Sequence, residues 1–181
     1  MNAAAVRMLV ISALTDKTDA ADRVYSPRDW STSEDMYPAI LVQTPIDVKN
    51  SLGRNAPQFN TVTTVRITGR LQELDEEQED NGAVKAEIAL EQLRDQVERA
   101  VINSYDLTRQ IQQFLQVRST IDVNAAGEGH IAQLLMELDI EYYQGPEDFY
   151  PIDAPPLDGI DITIQMPDGT PEPLVSVNLS E

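Results

Sequence analysis

Apolar and polar positions alternate with a period of two along two long segments of the chain. In residues 59–71, polar Thr and Arg positions alternate with the apolar residues Val65, Ile67 and Leu71. In residues 132–142 every even position is apolar, and most odd positions are polar. Because successive side chains of a strand point to opposite faces of a sheet, this pattern predicts two long strands, each with one solvent-exposed face.

Two other segments repeat apolar positions every three or four residues, as amphipathic helices do. The first helix is predicted over about residues 2–18, with an apolar face made of Val6, Leu9, Val10 and Ala13. The second is predicted over 84–102, with an apolar stripe made of Ala86, Ala89, Leu90, Leu93, Val97, Ala100 and Val101. Asp106 is expected to cap a third, shorter helix that uses Leu107, Ile111 and Phe114.

Short apolar runs predict the remaining strands, at 23–26, 39–44 and 120–123. A long loop is expected at 49–58. The strands are clustered rather than alternating with helices one by one. This order predicts an α+β fold, with a mainly antiparallel sheet of about four strands and two or three helices packed on one of its faces.

The composition changes after the last predicted strand of this sheet. Seven of the 11 prolines lie in residues 146–173, where the helix pattern is lost. We therefore divide the chain into an α+β domain, 1–150, and a Pro-rich acidic extension, 151–181. Two short alternating runs of the extension, 160–166 and 175–179, fit a β-hairpin. Such a hairpin is marginally stable alone in water, so it needs a surface in its own chain or on a neighbouring subunit.

Charge is distributed unevenly along the 181 residues. The chain has 13 Lys and Arg against 31 Asp and Glu, for a formal charge of −18. Residues 119–181 contain 13 acidic residues and no Lys or Arg. So acidic a chain does not suit a protein that binds nucleic acid or anionic membranes, because both need cations to neutralise phosphates.

Few side chains are suited to catalysis. The sequence has no cysteine and a single histidine, His130. This composition excludes disulfides, thiolate metal sites and cysteine nucleophiles, and any histidine-based site would depend on one residue. The nucleophile elbow G-x-S-x-G and the P-loop motif are both missing from the sequence. We expect no enzymatic activity and no cofactor.

Residues 73–80, ELDEEQED, are the densest acidic run. Its six carboxylates belong to Glu73, Asp75, Glu76, Glu77, Glu79 and Asp80. The spacing from Asp75 is similar to the start of a calcium-binding loop, but the sixth position is not glycine and the twelfth, Ala86, has no carboxylate. We interpret the run as a solvated acidic loop and expect no metal site.

Gly127, Gly129 and His130 belong to a G-x-G-x-x-A pattern that ends at Ala132. In dinucleotide-binding proteins this pattern leads into a helix whose N-terminus faces the pyrophosphate. Here an alternating strand is predicted to follow, and no βαβ unit surrounds the pattern. We therefore interpret the glycines as a turn into that strand.

The order and spacing of these segments resemble the phage tail terminator family, of the minor tail protein U type. The resemblance covers about residues 1–150: an N-terminal helix, a short strand with YSPRDW, a strand YPAILVQT, a long Thr/Val-rich strand and the helix at 84–102. It is most specific at 127–143, where G-x-G-H-I-A-Q leads into a final strand that ends in IEYY.

This resemblance implies a structural protein of the virion, assembled in the bacterial cytoplasm, with neither catalysis nor cofactor. Members of the family form a hexameric ring on the end of a completed tail tube. The ring stops polymerisation of the tube protein and presents a surface to the head-completion or connector proteins. DNA passes through the bore without specific binding. An acidic loop such as 73–80 is expected to line that channel or face a partner, because carboxylates repel phosphates.

Two other classes of protein remain open. One is a different head–tail connector or completion protein. The other is an acidic DNA mimic, which occupies a nucleic-acid site on another protein. A mimic spreads carboxylates over its faces at phosphate-like spacing, whereas the stripes at 84–102 and 132–142 have ordinary core patterning. A hexamer in solution favours the terminator, and a strict monomer favours the mimic.

Overall fold

The computed structural model describes residues 1–27, 36–54, 57–74, 82–124, 129–150, 159–163 and 174–178. The chain divides into two compact units, Met1–Phe149 and Tyr150–Glu181. The described helices of the first unit are α1 (Ala3–Leu14), α2 (Gly82–Ile102) and α3 (Tyr105–Thr108). Its strands are β1 (Val24–Tyr25), β2 (Ala39–Ser51), β3 (Phe59–Leu74), β4 (Gln113–Asn124) and β5 (Gly129–Gln144). A short 3₁₀ turn, Pro146–Asp148, follows β5.

These strands form one sheet in the order β1-β2-β3-β5-β4. β1 runs parallel to β2, and the other neighbouring pairs are antiparallel. The two strands predicted from their alternation, β3 and β5, form the centre of the sheet and pair along their whole length. The predicted α+β fold is confirmed, with five described strands where about four were expected.

The helices pack on one face of the sheet. α1 contacts β2 and β3, and α2 lies across β3, β5 and β4. The even positions of β5 from Ala132 to Tyr142 are buried in this layer, and Leu90, Leu93 and Val97 face them from α2. A Cβ atom at Gly69 of β3 would lie 2.8 Å from Leu93 Cδ2, so glycine at this position allows α2 to approach the sheet closely.

The N-terminal helix ends earlier than its apolar pattern predicts. α1 stops at Leu14 instead of near residue 18. The Thr15 hydroxyl donates to the carbonyl oxygen of Ile11 at 2.8 Å, and Asp16 adopts a left-handed φ of 58°. This turn sends the chain back towards β1, which the helical periodicity alone does not show.

The third helix is a single turn with a different cap. Its N-cap is Ser104, whose Oγ accepts from the Leu107 amide at 3.4 Å, so the prediction of Asp106 as the cap was wrong. The helix ends at Thr108, before Ile111 and Phe114. Phe114 lies in β4 opposite Ile140, because pairing with β5 takes over from the helical spacing there.

β2 and β4 are longer than predicted. β2 continues past Pro45 to Ser51, and its register with β3 shifts between Gln43 and Ile46. A bulge therefore accommodates the proline on an outer strand, and the loop expected at 49–58 begins only after Ser51. β4 pairs with β5 from its first residue, with one bulge, so it covers 12 residues instead of the four at 120–123.

The second unit contains a β-hairpin in its described residues. β6 (Gly159–Thr163) pairs antiparallel with β7 (Leu174–Asn178). Positions 160 and 177 are opposite each other, as are 162 and 175, so these four positions share one face. The remaining residues of the predicted hairpin strands, 164–166 and 179, lie outside the described residues.

Candidate functional site

The three sequence-predicted site residues that the structure describes lie at one end of the sheet. Glu73 is the penultimate residue of β3, and Gly129 and His130 begin β5. The register places Glu73 opposite His130. The acidic run and the glycine-containing turn, which are distant in sequence, therefore meet the sheet at the same end. The other predicted residues lie outside the described residues: Asp75, Glu76, Glu77, Glu79, Asp80 and Gly127.

The sheet face opposite the helices carries a ladder of charged side chains across β3, β5 and β4. Glu137 of β5 is opposite Arg66 on one side and Arg118 on the other. Arg66 donates to Glu137 Oε1 from Nε and Nη2, at 3.0 and 2.9 Å, and Arg118 Nε donates to Oε2 at 2.9 Å. One carboxylate thus connects two guanidinium groups from two different strands. We call this set of residues the charged ladder.

The ladder continues to Asp139, two residues along β5. Its Oδ2 lies 3.7 Å from Nη2 of Arg118, and its Oδ1 accepts from the Thr64 hydroxyl at 2.6 Å. The side chains of Glu137 and Asp139 are 18% and 19% exposed, less than those of the arginines around them. The acids are therefore less accessible to solvent than the arginines that pair with them.

The electrostatics of the ladder favour structure over proton transfer. Hydrogen bonds from Arg118 and then from Arg66 hold the pKa of Glu137 below its usual value, and the bond to Glu137 raises the pKa of Arg118. A carboxylate with a lowered pKa is a weak base, which is unsuited to general acid–base work near neutral pH. The ladder instead fixes the register of three strands. It also gives the sheet face opposite the helices, here called the open face, a balanced pattern of charges.

A second polar cluster lies within the helix-covered layer, at the other end of β3 and β5. The hydroxyl of Tyr142, which is fully buried, lies 3.0 Å from Thr63 Oγ1, and Thr63 donates to Asp47 Oδ1 at 2.6 Å. Because the Thr63 proton is used towards Asp47, Tyr142 is the donor to Thr63. Lys49 Nζ lies 2.9 Å from the second Asp47 oxygen, and it also donates to Gln144.

Burial and hydrogen bonding act in opposite directions on this cluster. Burial alone would raise the pKa of Asp47, but the bonds from Thr63 and Lys49 and the charge of Lys49 outweigh it, so the pKa is lowered. Burial raises the pKa of Tyr142. The cluster is a satisfied hydrogen-bond network that closes one end of the core. Sequence periodicity identified Tyr142 only as a core position, since its partners come from two other strands.

Among the described residues, β4 and the part of β2 beyond Leu41 each have one edge without a neighbouring strand. Within the described residues, β4 pairs only with β5, and β2 pairs with β1 only at Ile40 and Leu41. Leu115 of β4 and Val48 of β2 are each 50% exposed beside these edges. Unpaired edges of this length are sites at which another chain can add a strand. The two edges differ in sequence, in length and in their bulges.

Other kinds of site find no support in the described part of the chain. Its His, Asp and Glu residues do not form a group of three that could hold a metal ion. None of its helices is long and apolar enough to cross a membrane. No protein-family model matches this chain, and no curated protein matches it in sequence.

Proposed function

We propose that this protein is a structural component of a phage tail, which forms a hexameric ring on the end of the tail tube. The ring ends polymerisation of the tube protein and offers the surface to which head-completion or connector proteins bind. The resemblance in the order and spacing of its segments is the starting point. The proposal includes no catalytic role and no cofactor, and it assigns the protein to the virion after assembly in the bacterial cytoplasm.

The observation that best supports this proposal is the pair of dissimilar free edges on one sheet. A closed ring of identical subunits needs a heterologous interface, in which one surface of a subunit meets a different surface of the next. β2 and β4 provide two such surfaces on opposite sides of the same rigid sheet. The charged ladder keeps β3, β5 and β4 in register between them.

The acidic run at 73–80 has a role in this proposal. Duplex DNA is densely charged, and a bore lined with carboxylates would let it pass without binding. The run begins at the end of β3, so a subunit can present it on one rim of the sheet. We propose that it faces the channel or a partner protein.

The balanced charges of the open face favour this proposal over a DNA mimic. A mimic needs carboxylates without cations between them, in order to resemble a row of phosphates. On the described face, Glu137 and Asp139 are bonded to Arg66 and Arg118. This surface would not present an uninterrupted negative row to a nucleic-acid-binding protein. A different head–tail connector protein would share most of these features. Electron microscopy of assembled tails distinguishes it from a terminator.

Electron microscopy of tails assembled without this protein tests the proposal directly. Tubes longer than normal, restored to normal length by adding the purified protein, are the expected result. Tubes of normal length that fail to join heads would assign the protein to connection and refute termination. Light scattering of the purified protein gives a second test, since a terminator should form a hexamer as its concentration rises.

A further inference from the structure

A groove between the C-terminal parts of α1 and α2 combines two cations with several hydrogen-bond donors. Ser12 and Lys17 line it from the side of α1, and Gln96, Arg99, Asn103 and Ser104 line it from the side of α2. Its volume is about 440 Å³. We call it the α1–α2 groove. It lies on the helical side of the domain, away from the charged ladder.

The two cations of this groove have no close ion-pair partner among the described carboxylates. Neither Lys17 nor Arg99 forms an ion pair within the described residues, and both are exposed. Among the acids close to the groove in sequence, Asp19 exchanges two hydrogen bonds with Gln96, and Asp106 lies 3.5 Å from Arg109. Arg99 donates from Nε to the main-chain oxygen of Asp95, which leaves its terminal nitrogens available.

The chemistry of the groove suits carboxylates. Lysine and arginine both bind carboxylates through charge-assisted hydrogen bonds, and serine and asparagine side chains add neutral donors. The groove is therefore complementary to an acidic segment.

The acidic segment that best fits is the C-terminal extension of the same sequence. Residues 151–181 contain six acidic residues and no Lys or Arg. The β6–β7 hairpin has five residues in each strand, which is too little for independent stability in water. Its register puts four β-branched apolar residues on one face, at positions 160, 162, 175 and 177. Such a hairpin needs a surface to lie on.

We propose that the α1–α2 groove binds the acidic C-terminal extension of a second copy of this chain. The proposal rests on the ring of the proposed function, which supplies a neighbour at short range. Residues 150–158, which contain three prolines, connect the α+β domain to the hairpin in the sequence. Donor and acceptor surfaces differ, so the contact repeats around a ring.

Cysteine cross-linking tests this contact cleanly, because the natural chain has no cysteine. One chain carries Ser12→Cys in the groove and a second, distinguished by mass, carries Ala154→Cys in the extension. After mixing and oxidation, we expect disulfide-linked pairs that contain one chain of each kind. Chains that carry both substitutions should form a ladder of covalent oligomers.

Charge exchange tests whether the cations of the groove make the contact. Lys17→Glu with Arg99→Glu should reduce the yield of mixed pairs about tenfold, since removing and reversing close charge pairs weakens association. Adding Asp153→Lys and Asp158→Lys to the partner chain should restore the yield.

A matched control distinguishes an effect of the groove on the yield from an effect of net charge. Arg54→Glu with Arg94→Glu makes the same change in net charge outside the groove and should leave the yield of mixed pairs unchanged. An equal loss of yield in this control would show that the groove is not the acceptor, and would overturn the inference. Circular dichroism checks that every variant is folded.

The possible results separate this inference from the proposed function. A ring that forms without any cross-link between positions 12 and 154 would overturn the inference and leave the ring proposal standing. Cross-links confined to single chains would show docking within one subunit and would also overturn it. A protein that stays monomeric at all concentrations would refute both.

Discussion

The hydroxyl of Tyr142 offers a sharp test of the buried polar cluster. It is fully buried and donates to Thr63, which in turn donates to Asp47. Tyr142→Phe keeps the ring and removes this one donor. A buried hydrogen bond in such a network contributes about 1 to 1.5 kcal/mol to the free energy of unfolding, and we expect a loss of that size.

Urea denaturation followed by circular dichroism measures this loss. With a slope of about 2 kcal/mol per molar urea, the midpoint should fall by roughly 0.5 to 0.75 M. The adjacent Tyr143 is a matched control, because its side chain lies on the opposite face of β5 and it is 42% exposed. Tyr143→Phe should change the unfolding free energy by less than about 0.5 kcal/mol. Equal effects of the two substitutions would refute the assignment of a buried bond to Tyr142.

Three further predictions concern the core, the ladder and the acidic run. Leu134→Ala should lower the unfolding free energy by about 2 to 5 kcal/mol, because it leaves a cavity in the fully buried layer. The control Leu115→Ala, at an exposed position, should lower it by less than about 1 kcal/mol, and the midpoints of urea denaturation measure both effects. The pKa of Glu137 is lower in the folded protein than in the unfolded chain, where it is about 4.3. The ionised carboxylate therefore stabilises the folded state above that pH, and this stabilisation is lost as the pH falls through the pKa of the folded state. Melting temperatures should therefore fall less steeply in acid for Glu137→Gln, and parallel curves would contradict this. Replacing the acidic residues of 73–80 by Lys should slow DNA ejection from tails with intact rings. Replacing them by the neutral residues Gln and Asn should have a weaker effect. Unaltered infectivity of the Lys variant would refute a channel-facing position.

The central strands were predictable because each has one buried and one wet face. The even positions of β5 from Ala132 to Tyr142 are all buried, so the alternation in the sequence directly reflects the sheet. The outer strands lack this contrast. β4 is exposed along most of its length, and a bulge after Phe114 breaks its alternation, so only its last residues looked like a strand.

The two polar clusters could not be predicted from the sequence, and the reason is different from that for the outer strands. Arg66, Glu137 and Arg118 are ordinary wet-face residues when each strand is considered alone. They become a ladder only through the registers of β3 with β5 and of β5 with β4. Register depends on long-range pairing and on bulges, which a single sequence does not specify. The same holds for Tyr142, whose partners Thr63 and Asp47 lie on two other strands.

The proposed assembly role would give a common explanation for the acidity and for the lack of reactive residues. On the described sheet face Glu137 and Asp139 are paired with arginines, so these two acids contribute little to the field outside the molecule. The run at 73–80 and the extension at 151–181 together carry 12 of the 31 acidic residues and no Lys or Arg. In the proposed assembly, the first segment would repel DNA and the second would bind the groove of Lys17 and Arg99. The proposal therefore predicts that removing either segment leaves the domain folded and alters only what it assembles with.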